Sequence, residues 1–571
     1  MGDTKEGDIL GEMARWTGVL GQMQQLMMEA GATAALRLAD DAAATAATAA
    51  TPDALPDPAA WWKESIAAWS AMLPTGADPE NARRDRRFRG AQWEEPLFAA
   101  IRQSYLAIAD RLLAGVEAMA GLDPRHKEQL RFLTRSFVDA MSPANFAATN
   151  PQVLQRILET GGQNLVTGLE RMLADIGRGQ IRHVGEGAFE VGKTLATTPG
   201  KVIKETPLYQ LIHYAPTTEQ VQAVPLLIFP PWINRFYILD LTPEKSFVRW
   251  AVDQGLSVFI VSWKSADASM ADLAMDDYIL QGEHDAIDTV RELLGVEAVH
   301  VVGYCVAGTA LAMLLAWLTA RGEASKVASA TFFTAQVDFA EAGDLSLFVD
   351  DAQLRMFEAL ATDGYLDGRY MAATFNLLRG RDLIWNYVVN NYLLAEDYAP
   401  FDLLHWNGDI TNLPAKWHGS YLSDLYRDNL LVKPGALRVG GVPIDIGRVE
   451  TPTYAQAGRE DHIAPAASVW KLTHHFRGPL RFVLAGSGHI AGVVNPPSAG
   501  KYQYWTNEGE AKSLDEFVAG ATEHKGSWWP DWLRWIGGRS GGLVDATGAR
   551  RPGEGSLPAL EDAPGRYVMT R

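Results

Sequence analysis

The chain has 571 residues, of which 47% are hydrophobic and 21% charged, and its formal net charge is −18. It is too long for one ordinary core, so two domains, or one large domain with insertions, are expected of a soluble globular protein. The negative balance argues against nucleic-acid binding, and the single cysteine, Cys305, excludes an internal disulfide and a cysteine-based metal site.

The opening "MGDTKEGDILGEMARW" has neither the basic start nor the apolar core of a signal peptide. The most apolar helix-like run, "VAGTALAMLLAWLTA", is shorter than the roughly 18 residues a membrane span needs. It reads as a buried core helix, and the protein as cytoplasmic without a transmembrane span. Eighteen tryptophans point to large apolar contact surfaces.

In chain order, residues 1–60 are Ala/Thr/Asp-rich and read as a mobile or helical tail. Residues 61–200 read as a helical domain, because "QLRFLTRSFVDAM" and "VLQRILETGGQNLVTGLERMLADI" carry apolar residues at helical spacing. The arginines of "NARRDRRFRGAQW" (83, 84, 86, 87 and 89) read as a solvated face or an ion-pair network.

After Gly200 the rhythm changes to short apolar runs alternating with helical ones. Strands are predicted at 224–230, 256–263, 298–304, 328–335, 451–458 and 480–486, and alternation with helices implies a mainly parallel sheet. Residues 201–540 are assigned to this α/β domain. A long aromatic-rich insertion at about 336–449 is expected to form a lid or cap, and 541–571 a flexible tail.

"VHVVGYCVAGTALAMLL" reads as strand, tight turn and helix, with the turn Gly-x-Cys-x-Ala. This is the pattern of a nucleophile elbow with cysteine for serine and Ala307 where glycine is usual. A helix N-terminus facing Cys305 favours thiolate, and the amide of Val306 can donate to a developing oxyanion. A lone cysteine is also a common small buried hydrophobe, so the elbow alone decides little.

In such a fold the acid and the histidine follow later strands, in that order. "TPTYAQAGREDHIAP" offers Asp461, with Glu460 as a rival acid and His462 beside it. "LRFVLAGSGHIAGVVNPP" offers His489. His474 and His475 lie in a helix-like segment and read as surface or core residues. The second oxyanion donor is expected from the loop Pro230 to Arg235, at Ile233 or Asn234, unless that loop is only a rigid Pro-Pro turn.

These stretches together resemble a polyhydroxyalkanoate synthase (poly(3-hydroxyalkanoate) polymerase) of the class I, one-subunit type. "PPWINRFYILDL", "GYCVAGT", "FDLLHWNGDITNLP", "AGREDHIAP" and "GSGHIAGVVNPP" carry the likeness, together with the earlier "RRFRGAQWEEPLF" and "SPANFAATNPQ". The resemblance implies an α/β-hydrolase fold with an inserted cap and a helical N-terminal domain. It implies Cys305 as nucleophile, His489 as base and Asp461 as the acidic partner, which either orients the imidazole or helps activate a hydroxyl. The implied substrate is (R)-3-hydroxyacyl-CoA, with short acyl chains expected, and the implied product is a growing polyester. No cofactor or metal is implied. A homodimer in the cytoplasm is expected at the surface of polyester granules, beside granule-associated proteins. Ala307 departs from the family's usual glycine. A thioesterase or polyester depolymerase on the same scaffold is the alternative.

Overall fold

The computed structural model describes residues 85–570, which fall into two compact units. The expected tail 1–60, the start of the helical domain, and Arg83 and Arg84 lie outside the described residues.

One unit comprises the chain up to His183 together with Ala373–Ala399. Its helices are α1 (Pro96–Ala118), α2 (Pro124–Ala140), α3 (Pro151–Thr160) and α4 (Gln163–Arg178). Each of the first three opens with proline at its first position, where the missing N–H is no loss. Asp123 and Asn150 cap α2 and α3 by accepting from backbone N–H groups. Arg87 pairs with Asp85 and with Asp139 at 2.9 Å, and its guanidinium also donates to the Tyr105 hydroxyl. Of this cluster, Arg87 forms an ion-pair network, whereas Arg86 and Arg89 are exposed.

Helix α4 departs from expectation. Its apolar stripe, Val166, Leu169, Leu173 and Ile176, faces outward at about half exposure, whereas Asn164, Gly168 and Asp175 are buried. The buried face packs on residues 388–393 of the insertion. Asn164 donates to the Leu393 carbonyl (2.7 Å) and the Tyr392 hydroxyl donates to Asp175 (2.7 Å). A Cβ on Gly168 would stand 1.6 Å from the Tyr392 carbonyl oxygen, so only glycine permits this approach. The insertion at 336–449 is therefore not one lid: residues 373–399 belong to the helical unit, and the remainder to the other.

The second unit, Val184–Ala372 with Pro400–Arg571, is an α/β unit. Its strands are β1 (Gly200–Glu205), β2 (Tyr209–Tyr214), β3 (Leu226–Phe229), β4 (Val258–Trp263), β5 (Val299–Tyr304), β6 (Val327–Phe333), β7 (Thr453–Gly458), β8 (Leu480–Ala485), β9 (Gln503–Thr506), β10 (Thr522–Lys525) and β11 (Glu561–Asp562). They form an eleven-stranded sheet in the order β10-β9-β8-β7-β6-β5-β3-β4-β2-β1-β11. The run from β4 to β8 is parallel throughout, and it consists of the strands predicted from sequence. Antiparallel strands extend both edges.

The order reverses at β3: the chain steps out to β4 and returns to β5 on the other side. Open α/β sheets bind ligands in the crevice that such a switch leaves at the strands' carboxyl ends. The loop 230–235 and Cys305 emerge from β3 and β5, on either side of it.

After β5 comes α5 (Val306–Arg321), buried continuously from Val306 to Leu318, as expected of the most apolar run. One group of tryptophans packs into the core cluster of this unit. Trp528 and α6 (Trp529–Gly537) pack with Phe247, Phe333 and Tyr454. Trp528 and Trp529 donate their indole N–H groups to the carbonyls of Gly492 and Val493, which follow closely after His489.

The expected flexible tail from 541 onward is corrected by the structure. Leu543–Asp545 pairs with Gln220–Gln222, and β11 pairs with β1 at the sheet edge. Main-chain hydrogen bonds hold this Gly/Pro-rich segment, so hydrophobic periodicity gave no sign of it.

Candidate active site

Cys305 sits between β5 and α5 at φ 53° and ψ −124°, a region that L side chains rarely occupy. Such a conformation costs about 1–3 kcal/mol and persists only where the surroundings enforce it. They do so here. The Cys305 N–H donates to the Phe333 carbonyl of β6 (2.9 Å), and its carbonyl accepts from Gly308 (2.9 Å) and Thr309 (3.2 Å).

The close approach of strand and helix is made by Gly303 and Gly308. A Cβ on Gly303 would stand 2.6 Å from Gly308 Cα, and one on Gly308 would stand 2.4 Å from Ala335 Cβ. Ala307 is fully buried beside this contact, and its methyl is accommodated. The glycine that the turn needs is displaced by one position.

His489 follows β8 and is 8% exposed; Asp461 follows β7, and its side chain is fully buried. His489 Nδ1 lies 2.7 Å from Asp461 Oδ2, which leaves Nε2 for Cys305, the other group that acts on the imidazole electrostatically. Asp461 Oδ1 accepts from the N–H groups of Ile463 (2.8 Å) and Ala464 (2.9 Å). The Tyr304 hydroxyl donates to the His489 carbonyl (3.0 Å).

Burial alone would lower the His489 pKa. The Asp461 carboxylate, its hydrogen bond to the ring and negative charge on Cys305 overcome it and raise the imidazole to about 10. Glu460, the rival acid, is exposed. His475 lies 3.3 Å from Asp338, and His474 contacts the Lys512 carbonyl, so neither histidine joins Cys305.

The loop 230–235 is held from two sides. The Trp263 indole donates to the Pro230 carbonyl (2.8 Å), and Trp232 stacks on Tyr278 at 4.3 Å. From the insertion, Thr411 donates to the carbonyls of Trp232 and Ile233, and Asn234 bridges Ile410. The backbone N–H groups of Ile233, Asn234 and Val306 donate to no group among the described residues.

Two residues escaped the sequence reading. Tyr421 and Tyr426 are buried, meet edge to face with ring centroids 5.5 Å apart, and are close enough to Cys305 for its charge to help raise their pKa values, after burial itself. Gln336 donates to the Tyr426 hydroxyl (3.3 Å). They are five positions apart on a π-helical stretch, Tyr421–Arg427, whose wider turn aligns positions that an α-helix would separate. No α-helical pattern search pairs them.

The arrangement can carry acyl transfer: a cysteine on a strained elbow, an imidazole oriented by a buried carboxylate, and N–H groups without partners nearby. No group of His, Cys, Asp and Glu suited to a metal ion occurs among the described residues, and no described helix is long and apolar enough to cross a membrane.

Comparison with known proteins identifies the family. Residues 84–251 match the family described as poly-beta-hydroxybutyrate polymerase (PhaC) N-terminus, and residues 221–496 match the alpha/beta hydrolase fold. A poly(3-hydroxyalkanoate) polymerase subunit PhaC from Cupriavidus necator is 43% identical over 517 residues, 90% of this chain and 87% of that protein. The chain belongs to the poly(3-hydroxyalkanoate) polymerases. A poly(3-hydroxyalkanoate) polymerase from Methylorubrum extorquens is 46% identical over 494 residues, 85% of this chain and 81% of its own. Poly(3-hydroxyalkanoate) polymerase 1 of Ectopseudomonas oleovorans is 37% identical over 491 residues, 85% and 87% of the two chains. The chain is thus an enzyme of the acyltransferase type, and the α/β-hydrolase fold expected from its sequence is the one it adopts.

Proposed function

We propose that this polymerase joins (R)-3-hydroxyacyl groups, 3-hydroxybutyryl foremost, from their CoA thioesters into polyester, through an acyl thioester on Cys305. Sulfur attacks the substrate carbonyl, the C–S bond to CoA breaks, and His489 gives the departing thiolate its proton. One thioester replaces another, so loading is nearly isoenergetic. A substrate or chain-end hydroxyl then loses its proton to His489 and attacks the acyl-enzyme. An oxoester forms and Cys305 is released. The N–H groups of Val306 and of Ile233 or Asn234 receive the carbonyl oxygen as it becomes negative.

Asp461 serves as the orienting group. Oδ2 faces His489, Oδ1 accepts from two backbone N–H groups, and the fully buried side chain is not presented to a substrate hydroxyl. Charge on Cys305 is one of the causes of the raised His489 pKa, and acylation removes that charge. The imidazolium therefore becomes a stronger acid and is left more readily as the neutral imidazole that base catalysis needs once the acyl group is in place.

The observation that carries this reading is that Cys305, Asp461 and His489 follow β5, β7 and β8 in a chain of this family, with the Asp461–His489 pair buried. CoA release from (R)-3-hydroxybutyryl-CoA, together with recovery of polymer, tests it. Wild type is expected to give both and Cys305→Ala neither. Equal release by the two rejects the nucleophile, and free hydroxy acid in place of polymer makes the enzyme a thioesterase or depolymerase. The working form in this reading is a homodimer at a granule surface, with granule-associated proteins beside it. Sedimentation before and after polymer forms measures both the dimer and the association.

A further inference from the structure

We propose that the C-terminal segment Glu561–Thr570 positions the loop Pro230–Arg235 through Arg235, making Arg235 a positioning residue of acyl transfer. This rests on the reading of Ile233 or Asn234 as an oxyanion donor.

Arg235 is 2% exposed. A buried guanidinium persists only with partners, and it finds them mainly at the end of the chain. It donates to the carbonyls of Tyr567 (3.2 Å) and Thr570 (2.7 Å), and its Nε lies 3.5 Å from Asp409 Oδ1. The carbonyls are main-chain groups, available only while the segment is docked. Docking is specific. β11 pairs with β1, the Tyr567 N–H donates to Gln210 (3.1 Å), and the Tyr567 hydroxyl donates to the Thr206 carbonyl (2.7 Å). A Cβ on Gly565 would stand 2.5 Å from Gln210 Oε1, so the segment lies close against β2. On its other side, Arg235 accepts from the Trp406 indole through its own carbonyl (2.6 Å), and its neighbour Asn234 bridges Ile410.

Arg235 is thus the point where the loop, the insertion and the C-terminal segment meet, one and two residues from the proposed donors. The loop between Pro230 and Arg235 has no helix or strand of its own. Donors to a developing oxyanion must be fixed to about 0.5 Å, and Arg235 ties this loop to a sheet edge.

The test uses the full chain, a chain ending at Arg566, Arg235→Gln, Arg235→Lys, and the combination of truncation with Arg235→Gln. Single-turnover acylation of Cys305 is measured with (R)-3-hydroxybutyryl-CoA and with p-nitrophenyl acetate, alongside KM, the rate of iodoacetamide alkylation of Cys305, and a melting curve. Truncation and Arg235→Gln are each expected to slow acylation from both donors by about 10- to 100-fold, with KM within about threefold and alkylation unchanged. The combination is expected to be no slower than either alone, because both cut one connection. Arg235→Lys should recover part of the rate. Wild-type acylation in either the truncated chain or Arg235→Gln, losses that multiply, or alkylation falling in step with acylation would overturn the proposal. A wild type that takes the ester but not the CoA thioester rejects the substrate reading, and the ester arm still judges Arg235. Acylation by neither donor rejects both.

Discussion

Adding one methyl group at Gly308 is expected to disable the enzyme, whereas removing the methyl of Ala307 is not. In Gly308→Ala the new Cβ would stand 2.4 Å from Ala335 Cβ and 2.9 Å from the Gly303 carbonyl oxygen, against 3.4 Å at which ordinary contact begins. The first deficit is about 1 Å, and the atoms met are the Cβ of an alanine and a backbone oxygen, neither on a flexible side chain. Strand β5 and helix α5 must therefore separate, at a cost of about 1–3 kcal/mol. Cys305 is their junction, so its sulfur moves by a comparable distance, and a misplacement of about 1 Å costs on the order of 100-fold in rate. Ala307→Gly leaves the contact intact. It loses about 1 kcal/mol through a buried methyl and helix propensity, with activity within about threefold. Melting curves and CoA release on both variants decide the matter. A Gly308→Ala enzyme with wild-type turnover, or an Ala307→Gly enzyme that has lost it, refutes the claim that the required glycine has moved along by one.

Asp461→Asn is expected to lower CoA release by about 1,000- to 10,000-fold, because an amide facing Nδ1 favours the wrong imidazole tautomer; a loss below tenfold would mean that Asp461 does not orient His489. With its pKa raised to about 10, His489 holds a proton in the folded state that the unfolded chain has already lost. Its stabilising contribution is complete below about pH 6.5 and is lost as pH rises toward about 10. Urea unfolding from pH 6 to 10 should follow this fall, and alkylating Cys305 should flatten it; an unchanged profile removes Cys305 as a cause of the shift. Gly168→Ala should lower the unfolding temperature of the helical unit while leaving Cys305 alkylation untouched, since its Cβ would meet the Tyr392 carbonyl at 1.6 Å.

Sequence reading succeeded where burial left a local signature. The parallel strands β3 to β8 lie within the sheet and read as continuous apolar runs, because parallel strands are covered on both faces. Strand β1, "GKVIKE", is half-buried along much of its length and breaks register between Val202 and Lys204, so neither alternation nor an apolar run marks it. β11 has two residues within "ALEDAPGRY", and its pairing with β1 is visible only once both are folded. In α4 the 3.6-residue period was present, but a period does not say which face is covered. Gly168 decided that by letting the Tyr392 backbone approach, so polar Asn164 and Asp175 went inward and the leucines outward.

The site was legible to the extent that topology dictates it. An elbow after one strand, an acid after another and a histidine after the last are positions along a chain, and Cys305, Asp461 and His489 occupy them. Direction is another matter. Glu460 and Asp461 are adjacent, and a turn of one residue separates an exposed side chain from one fully enclosed beside His489. The same limit explains Tyr421, Tyr426 and Arg235. The tyrosines come together through a π turn, and Arg235 finds its partners more than 300 residues away, in carbonyls that carry no side-chain signature. The proposed reacting groups are fixed by connectivity near the strand ends. The groups that hold them in register are supplied by the insertion and the C-terminal segment, the parts of the chain whose sequence says least about where they will lie.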